Sequence, residues 1–483
     1  MGLLGILLGL ALLVWLAFRG WSVLLLAPMA ALVAALFAGE PLLAHWTQTF
    51  MVSGAGFFAQ FFPLFLLGAV FGKLMEDSGS ITAIADFMIR KLGQKHAVLA
   101  VVLAGAFVTY GGVSLFVAFF VLAPMGQELF RSAGIPRRLM PAAIVLGTST
   151  FTMSALPGTP SIQNAIPMPF FGTTPFAAPG LGVIAALIMM VFGMWWLGRR
   201  EASARKRGEG FGQGELLSAQ DVARRETLRE RATTAHEFDP AEIAQGTASA
   251  APSILAAALP LITVVAVNLA MSLFILPALD TRFLNQPQWG NTSLARVGGV
   301  WAVVTALACA IAVALALNFR RLAGLRATLD AGANAAVLPA VSVASLVGFG
   351  AVVAAMPAFA GVRDAVLNIN GGPLTSLAVA TNVLAALTGS ASGGLTIALD
   401  ALGPTYMERA AAIGMDPALL HRVAVIGSGT LDTLPHNGAV VTLLAVCGTK
   451  HGESYGDIVM VGIVGAVLGL IAVIVLGTMF GSF

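Results

Sequence analysis

Charge is what this sequence has least of. Only 10% of its 483 residues are Asp, Glu, Lys or Arg, against about 25% in a soluble domain. Hydrophobic residues make up 58%, and the mean hydropathy is +0.89. A water-soluble globular chain is thereby excluded. The composition implies an all-α, polytopic membrane protein with the lipid bilayer as its solvent. The formal charge of +3 does not suggest a nucleic-acid partner, because surplus Lys and Arg in a membrane chain belong to cytoplasmic loops. Cysteine is nearly absent. Cys309 and Cys447 each sit in an apolar run, as small buried hydrophobes do, and no Cys/His metal spacing occurs. No phosphate-binding glycine-lysine motif appears, so a primary pump would need a partner to supply it. No cofactor and no metal are expected. The apolar opening, MGLLGILLGLALLVWLAFRG, lacks a basic start and a small-residue cleavage site, and is expected to be a retained first span.

What is present is a series of span-length apolar runs. They fall near 2–18, 21–38, 53–72, 96–109, 139–170 and 178–198, then 253–277, 295–317, 332–358, 374–388, 418–446 and 457–480, giving about 12 transmembrane segments. Lys73, Glu76 and Asp77 close the third, and 81–92 is a shorter amphipathic stretch suited to the interface. Residues 110–130 open on two glycines and break at Pro124, which fits a re-entrant hairpin. Residues 388–412, TGSASGGLTIALDALGPTYMERAAA, repeat that character. Residues 139–170 and 418–446 read as broken helices. Between the halves, 199–251 holds nine basic and nine acidic residues and few large apolar ones, so it reads as a linker. Five of its basic residues fall within ten positions of Leu197, which puts it in the cytoplasm.

The flanking halves, 1–198 and 252–483, match. Gly111-Gly112 precedes Pro124, and Gly147-Thr148-Ser149-Thr150 precedes Pro157-Gly158; Gly393-Gly394 precedes Pro404, and Gly427-Ser428-Gly429-Thr430 precedes Pro435. Pro124 to Gly147 is 23 residues, and so is Pro404 to Gly427. Paired Gly/Pro-interrupted segments point to a repeat-built secondary transporter. Inverted repeats require an odd number of crossings per half, yet this reading counts six and six. Either a helix lies outside the repeat or a short one is miscounted.

The polar residues gather at the breaks. Residues 147–167, GTSTFTMSALPGTPSIQNAIP, offer the hydroxyls of Thr148, Ser149, Thr150, Thr152, Ser154, Thr159 and Ser161 and the amides of Gln163 and Asn164, without a charge. Backbone N–H groups around Gly158 could cradle a carboxylate; the competing reading is that Ser and Thr bond their own helix carbonyls. Residues 427–438, GSGTLDTLPHNG, add Ser428, Thr430, Asp432, His436 and Asn437. Ionisable groups at membrane depth are functional candidates. Asp432 and His436 share a helix face unless Pro435 turns the chain between them, and either could carry a coupled proton. Asp432 could instead help hold sodium or cap a helix. In the hairpins, Ser114, Ser390, Ser392 and Thr396 flank glycines that allow tight turns and close approach to a ligand. His45, His96, His421 and His451 lie near span ends, where an interfacial role is expected. Neither 147–167 nor 427–438 holds an Arg or Lys, which favours a polyol monocarboxylate over a dicarboxylate, for which a buried Arg is expected.

The strings SALPGTPSIQNAIP, FGTTPFAAPGLG, TGSASGGLTIALDALGP and SGTLDTLPHNGAVVTLLAVCGTKHGESYGDI resemble the gluconate permease family of the ion transporter superfamily. The resemblance spans both halves, LDTLPHNGAV being its most specific piece. It implies a gluconate:proton or related hydroxy-carboxylate:cation symporter of the bacterial cytoplasmic membrane. It also implies a scaffold and a mobile region with two hairpins, working as a homodimer by an elevator-like step. The residues it carries over are Gly111, Gly112, Ser114, Pro157, Gly158, Thr159, Gln163, Asn164, Ser390, Ser392, Gly393, Gly394, Asp432, His436 and Asn437. The long charged linker departs from the pattern.

The expected function is therefore secondary active transport, not enzymology. The substrate is a small hydroxylated monocarboxylate, gluconate first and a short-chain hydroxy acid such as 3-hydroxybutyrate next. Coupling is to protons, with sodium as the alternative. The substrate set is Ser114, Thr148, Ser149, Thr150, Gly158, Thr159, Gln163, Asn164, Ser390, Ser392, Gly393, Gly394, Ser428, Thr430 and Asn437, and the coupling pair is Asp432 and His436. A passive channel would use the same hydroxyls as a pore lining.

Overall fold

Glycine and proline decide where the helices of this chain stop. The computed structural model describes residues 2–17, 19, 21–212, 252–435 and 437–483. His436 and most of the linker, 213–251, lie outside the described residues. Among the described residues there are helices, turns and loops and no strand. Seven of the described helices are long and apolar enough to cross a membrane, eight if the bent pair Ser80–Leu92 and Gln94–Tyr110 counts as one span. Gly2–Leu16, Val23–Ala38 and Gly372–Thr388 are apolar but shorter.

The two halves repeat the same order of elements. The first runs through Gly2–Ala17, Val23–Ala38, the long helix Leu42–Asp77, the short amphipathic Ser80–Leu92, a hairpin, a broken helix and Pro179–Lys206. The second runs through Ile254–Ala278, Leu294–Arg321, Leu325–Ala355, Phe359–Leu367, a hairpin, a broken helix and His451–Phe480. Pro179–Lys206 continues eight residues into the stretch read as linker.

The hairpins differ in extent from the expectation. The first joins Ala97–Tyr110 to Leu115–Ser132 through Gly111 and Gly112, and Gly112 takes φ +99°. A Cβ on Gly105 would touch Leu122, and one on Gly126 would touch Val101, so the arms are antiparallel and in register. The second joins Gly372–Thr388 to Ala391–Ala412 through Gly389, at φ +65°. Ser376 meets Tyr406 far from this tip, their hydroxyls 2.6 Å apart. Residues 96–109 and 374–388, read as spans of their own, are thus first arms of hairpins, and 110–130 and 388–412 cover only the second arms. An apolar helix of 14 residues rises about 21 Å, short of a bilayer core of about 30 Å, but composition alone does not separate it from a span.

Pro124 and Pro404 fall inside second arms at matched positions. One apolar core runs through the hairpins, the broken helices and the last helix of each half, with Phe116, Leu146, Leu181, Leu399, Leu420 and Val461 inside it. A smaller cluster ties Gly2–Ala17 and Val23–Ala38 to Phe50, Leu346, Phe349 and Ile397. Exposed Leu7, Leu25, Leu187, Val191, Leu255 and Ile471 form apolar outer faces, as lipid-facing helices do.

Candidate substrate site

A cavity of about 190 Å³ opens where the first hairpin tip meets the first broken helix, the second hairpin and the long helices of both halves. Of the sequence candidates, Ser114, Thr148, Gln163 and Ser392 line it; Thr109, Ser161 and Lys73 join them. The rest of the wall is largely apolar, from Leu64, Phe65, Val113, Phe116, Met153, Ile162 and Val343. Gly112 lines it too, whereas the other described members of the substrate set, and Asp432, do not.

The first broken helix explains why. It runs Met140–Thr148, kinks, resumes over Phe151–Ser154, opens through Pro157–Pro160, and restarts at Ile162–Ala165. Most of its hydroxyls serve the backbone that the kink frees. Thr148 Oγ1 donates to the Ile144 carbonyl at 2.7 Å, Thr150 to Leu146 at 2.7 Å and Ser154 to Thr150 at 3.1 Å. Ser149 Oγ lies 3.1 Å from Thr148 Oγ1, and Thr159 Oγ1 accepts from Ser161 N. In contrast, Ser114 Oγ and the Gln163 amide have no side-chain hydrogen bond among the described residues, and both face the cavity.

The open loop is held from outside. Gly158 sits at φ +78°, and a Cβ there would lie 2.4 Å from the Phe176 ring, so only glycine fits. Its N–H donates to the Pro175 carbonyl at 2.8 Å, which leaves that group unavailable as an anion cradle. Asn164 Nδ2 donates to the Thr159 and Pro175 carbonyls, both at 3.0 Å. Tyr110 and Asn268 hold the Pro157 and Gly158 carbonyls at 2.7 and 3.0 Å.

Two further braces come from Pro417–Thr430 of the second broken helix. His421 is fully buried, with Nε2 3.1 Å from Asn164 Oδ1 and Nδ1 2.6 Å from Thr173 Oγ1. Arg422, also fully buried, donates to the Ala177 carbonyl at 2.6 and 3.1 Å and to Ala155 at 3.2 Å. The interfacial expectation for His421 is thereby corrected. Arg422 places a buried arginine against the first break, although neither 147–167 nor 427–438 holds one; it and His421 lie just ahead of 427–438, where a basic pair in the sequence resembles a loop end.

The second break is built differently. After Thr430 the chain turns at Leu431–Thr433 rather than continuing as helix, and restarts at Gly438–Val446. Ser428 and Thr430 donate to Val425 and Ile426 carbonyls at 2.9 and 2.8 Å. Asp432 Oδ1 accepts from Ala391 N at 2.9 Å and from Asn437 Nδ2 at 3.0 Å. Asn437 Nδ2 also reaches the Gly389 carbonyl at 2.9 Å, and its Oδ1 caps Ala439 N at 2.8 Å. Asp432 and Asn437 therefore pin the tip of the second hairpin. Ser390 Oγ caps Gly393 N at 3.1 Å and lies 3.2 Å from Ser392 Oγ. Gly393 and Gly394 serve packing: a Cβ would lie 2.4 Å from Leu346 and 2.2 Å from Ala385 N.

Lys73 was missed because Glu76 and Asp77 beside it read as the charged end of a span. The helix instead continues to Asp77, and Lys73 is only 5% exposed.

Comparisons with known proteins agree with this architecture. The family described as GntP family permease matches residues 1–205. The "Uncharacterized transporter YxjC" of Bacillus subtilis is 40% identical over 482 residues, 98% of each chain. The "High-affinity gluconate transporter" of Escherichia coli is 34% identical over 104 residues, 21% of this chain and 23% of that one. The "Inner membrane permease YgbN" of Escherichia coli is 33% identical over 107 residues, 22% of each. Among solved structures, Neisseria gonorrhoeae MtrF, from a class described as antimetabolite efflux pumps, shares the fold with a TM-score of 0.53 at 16% identity, over 91% of this chain and 84% of that one. With a relative 40% identical over 98% of each chain and the family profile matched over residues 1–205, this chain belongs to the GntP family of permeases and is a multi-pass membrane transporter.

Proposed function

We propose that this permease is a secondary active symporter for a small hydroxy-monocarboxylate, driven by a cation, with protons first and sodium second. One observation carries the reading. Four residues nominated from three separate segments, Ser114, Thr148, Gln163 and Ser392, converge on one cavity between the two hairpin tips and the first break. Hairpin tips and interrupted helices at matched positions are how repeat-built transporters form a site. In this reading the hairpins are re-entrant, the substrate's hydroxyl and carboxylate groups take Ser114, Gln163 and Ser392, and Asp432 carries the coupling. Asp432 suits that role because its carboxylate links the second break to the hairpin tip at Ala391, so a cation or proton there would bear on the hairpin's position. The membrane is the bacterial inner membrane, the 199–251 linker is cytoplasmic, and the working unit is a homodimer.

Similarity to the Escherichia coli high-affinity gluconate transporter supports gluconate. The largely apolar wall supports the second reading, a short-chain hydroxy acid such as 3-hydroxybutyrate. A polyol acid carries a hydroxyl on nearly every carbon, and the wall offers few uncommitted polar groups to meet them. Uptake of labelled gluconate and 3-hydroxybutyrate into proteoliposomes, with and without an inward proton gradient, tests the proposal. Accumulation above equilibrium only with the gradient is expected. Equilibration alone would favour a passive channel. Asp432→Asn keeps the hydrogen-bond acceptor and removes the charge, so it should abolish accumulation while leaving the fold intact; if accumulation persists, the coupling assignment is wrong.

A further inference from the structure

Lys73 is a buried cation on the wall of the cavity with more hydrogen-bond capacity than the protein uses. Its Nζ lies 3.0 Å from Asp77 Oδ1. The other Asp77 oxygen, Oδ2, accepts from Thr328 Oγ1 at 2.7 Å. An ammonium carries three N–H donors, and Lys73 makes no other side-chain hydrogen bond or ion pair among the described residues. Among the described residues it is the only Lys or Arg lining the cavity. Lys73 belongs to Leu42–Asp77 and Thr328 to Leu325–Ala335, so the charge is fixed by the two long helices rather than by the broken ones.

A purely structural pair would be an uneconomical use of this position. Desolvating an ammonium is costly unless its remaining protons find partners. Here the fixed Asp77 takes one, and the cavity is where the others can be satisfied. We infer that Lys73 is the anion-recognition residue of the site: it donates to the carboxylate of the bound substrate while Asp77, clamped by Thr328, keeps the ammonium oriented across the cavity. The inference rests on the transporter reading above and adds to it the group that selects an acid over a neutral polyol. A single cation on the wall matches a single carboxylate, which accounts for the monocarboxylate class. The hydroxyl groups of the substrate are left to Ser114, Gln163 and Ser392, which line the same cavity.

The test uses the full chain in proteoliposomes. Uptake of labelled gluconate and 3-hydroxybutyrate is measured, with competition by the unlabelled acids and by the neutral analogues sorbitol and 1,3-butanediol. The double variant K73Q/D77N removes both charges together and so leaves no orphaned ion. Its half-saturation for the acids should rise about 10- to 100-fold, as expected for loss of a hydrogen bond to a charged group. Its preference for acid over neutral competitor should collapse by a similar factor. D77N alone removes the carboxylate that orients the ammonium, so half-saturation for the acids should rise and acid preference should fall, both by less than in the double variant; this variant carries the test if the double variant fails to fold. A double variant with wild-type half-saturation and wild-type acid preference overturns the inference and leaves the transporter reading standing. Wild-type half-saturation with wild-type acid preference in D77N overturns it as well. Failure of the wild type to take up either acid overturns the transporter reading, and the inference falls with it.

Discussion

The two broken helices share a plan and differ in what fills it. Positions 147 and 427 are offset by 280 residues, as are Pro124 and Pro404. At that offset Thr152 corresponds to Asp432. Each contacts the hairpin of its own half: Thr152 Oγ1 takes a hydrogen bond from Thr109 at 3.2 Å, and Asp432 Oδ1 takes one from Ala391 N at 2.9 Å. The same joint is neutral in one half and anionic in the other. The bracing is also one-sided. Arg422 and His421 of the second broken helix hold the open loop of the first, whereas their counterparts at the same offset are Ala142 and Pro141, both buried and apolar. The first break is therefore a wall of the cavity braced by the other half, and the second places a carboxylate against a hairpin tip.

The largest way to break this comparison is to remove the brace. Arg422→Met would leave the carbonyls of Ala155 and Ala177 without a donor in a dry interior. At about 1–3 kcal/mol for each orphaned group, the loss should be about 3–5 kcal/mol, read as a fall in melting temperature and in folded yield in detergent. Arg422→Lys should fall between, because an ammonium lacks the planar fork that reaches both carbonyls.

The next test sets matched glycines against each other. A Cβ on Gly147 would lie 2.3 Å from the Val102 carbonyl oxygen, which is backbone, whereas one on Gly427 would lie 2.4 Å from Thr381 Oγ1, a side chain that can rotate. Gly147→Ala should cost about 3 kcal/mol and Gly427→Ala about 1 kcal/mol, within the range for overpacked cores. Equal losses would mean that the helices separate as freely on one side as on the other.

These residues also mark how far the sequence could be read. The breaks, the hairpin prolines and the repeat were legible because Gly and Pro interrupt apolar runs at equal spacing, a local signal. The asymmetry of charge at 432 was legible for the same reason. Lys73 and Arg422 were not, because a basic residue beside Asp77 or His421 looks the same in sequence whether it ends a span or enters the interior. Only the tertiary path separates the two. The hairpin arms at 97–110 and 372–388 were hidden likewise, since a buried arm and a span share one composition. The hydroxyls of 147–167 were legible as a cluster, but their partners were not: most bond their own helix, and only the geometry singles out Ser114 and Gln163 as uncommitted.

A finer test concerns which half touches substrate. Gln163 lines the cavity, and Ser428 does not. Gln163→Ala should raise the half-saturation for the transported acid about 5- to 15-fold, the size of one net hydrogen bond of about 1–1.5 kcal/mol. Ser428→Ala, whose hydroxyl bonds Val425, should change it less than about twofold. Reversal of that order would move the site to the second half.

The smallest effect lies where the two broken helices begin. The second starts on a side-chain cap, Asp416 Oδ1 accepting from Ala418 N at 2.8 Å. The first starts beside an ion cluster. Arg138 reaches Glu209 at 2.6 and 3.0 Å and Asp457 at 3.1 Å, and Arg200 reaches Asp457 at 2.7 Å. The hydrogen bond from Arg138 holds the Glu209 carboxyl down at about 2, from an ordinary 4.5, and Glu209 in turn pushes the Arg138 guanidinium up. A carboxyl depressed on folding stabilises the fold fully above its unfolded value and loses that contribution as pH falls through its folded value. The Glu209 contribution should therefore be complete above about pH 4.5 and gone near pH 2. Glu209 is one-third exposed, so solvent screening limits the pair to less than about 1 kcal/mol. Glu209→Gln should melt slightly below wild type at pH 7, and the gap should close as pH is lowered from about 4.5 towards 2. A gap that persists at the acid end would show that Glu209 acts through packing and not through its charge. The entry to the first broken helix would then be held by Asp457 alone.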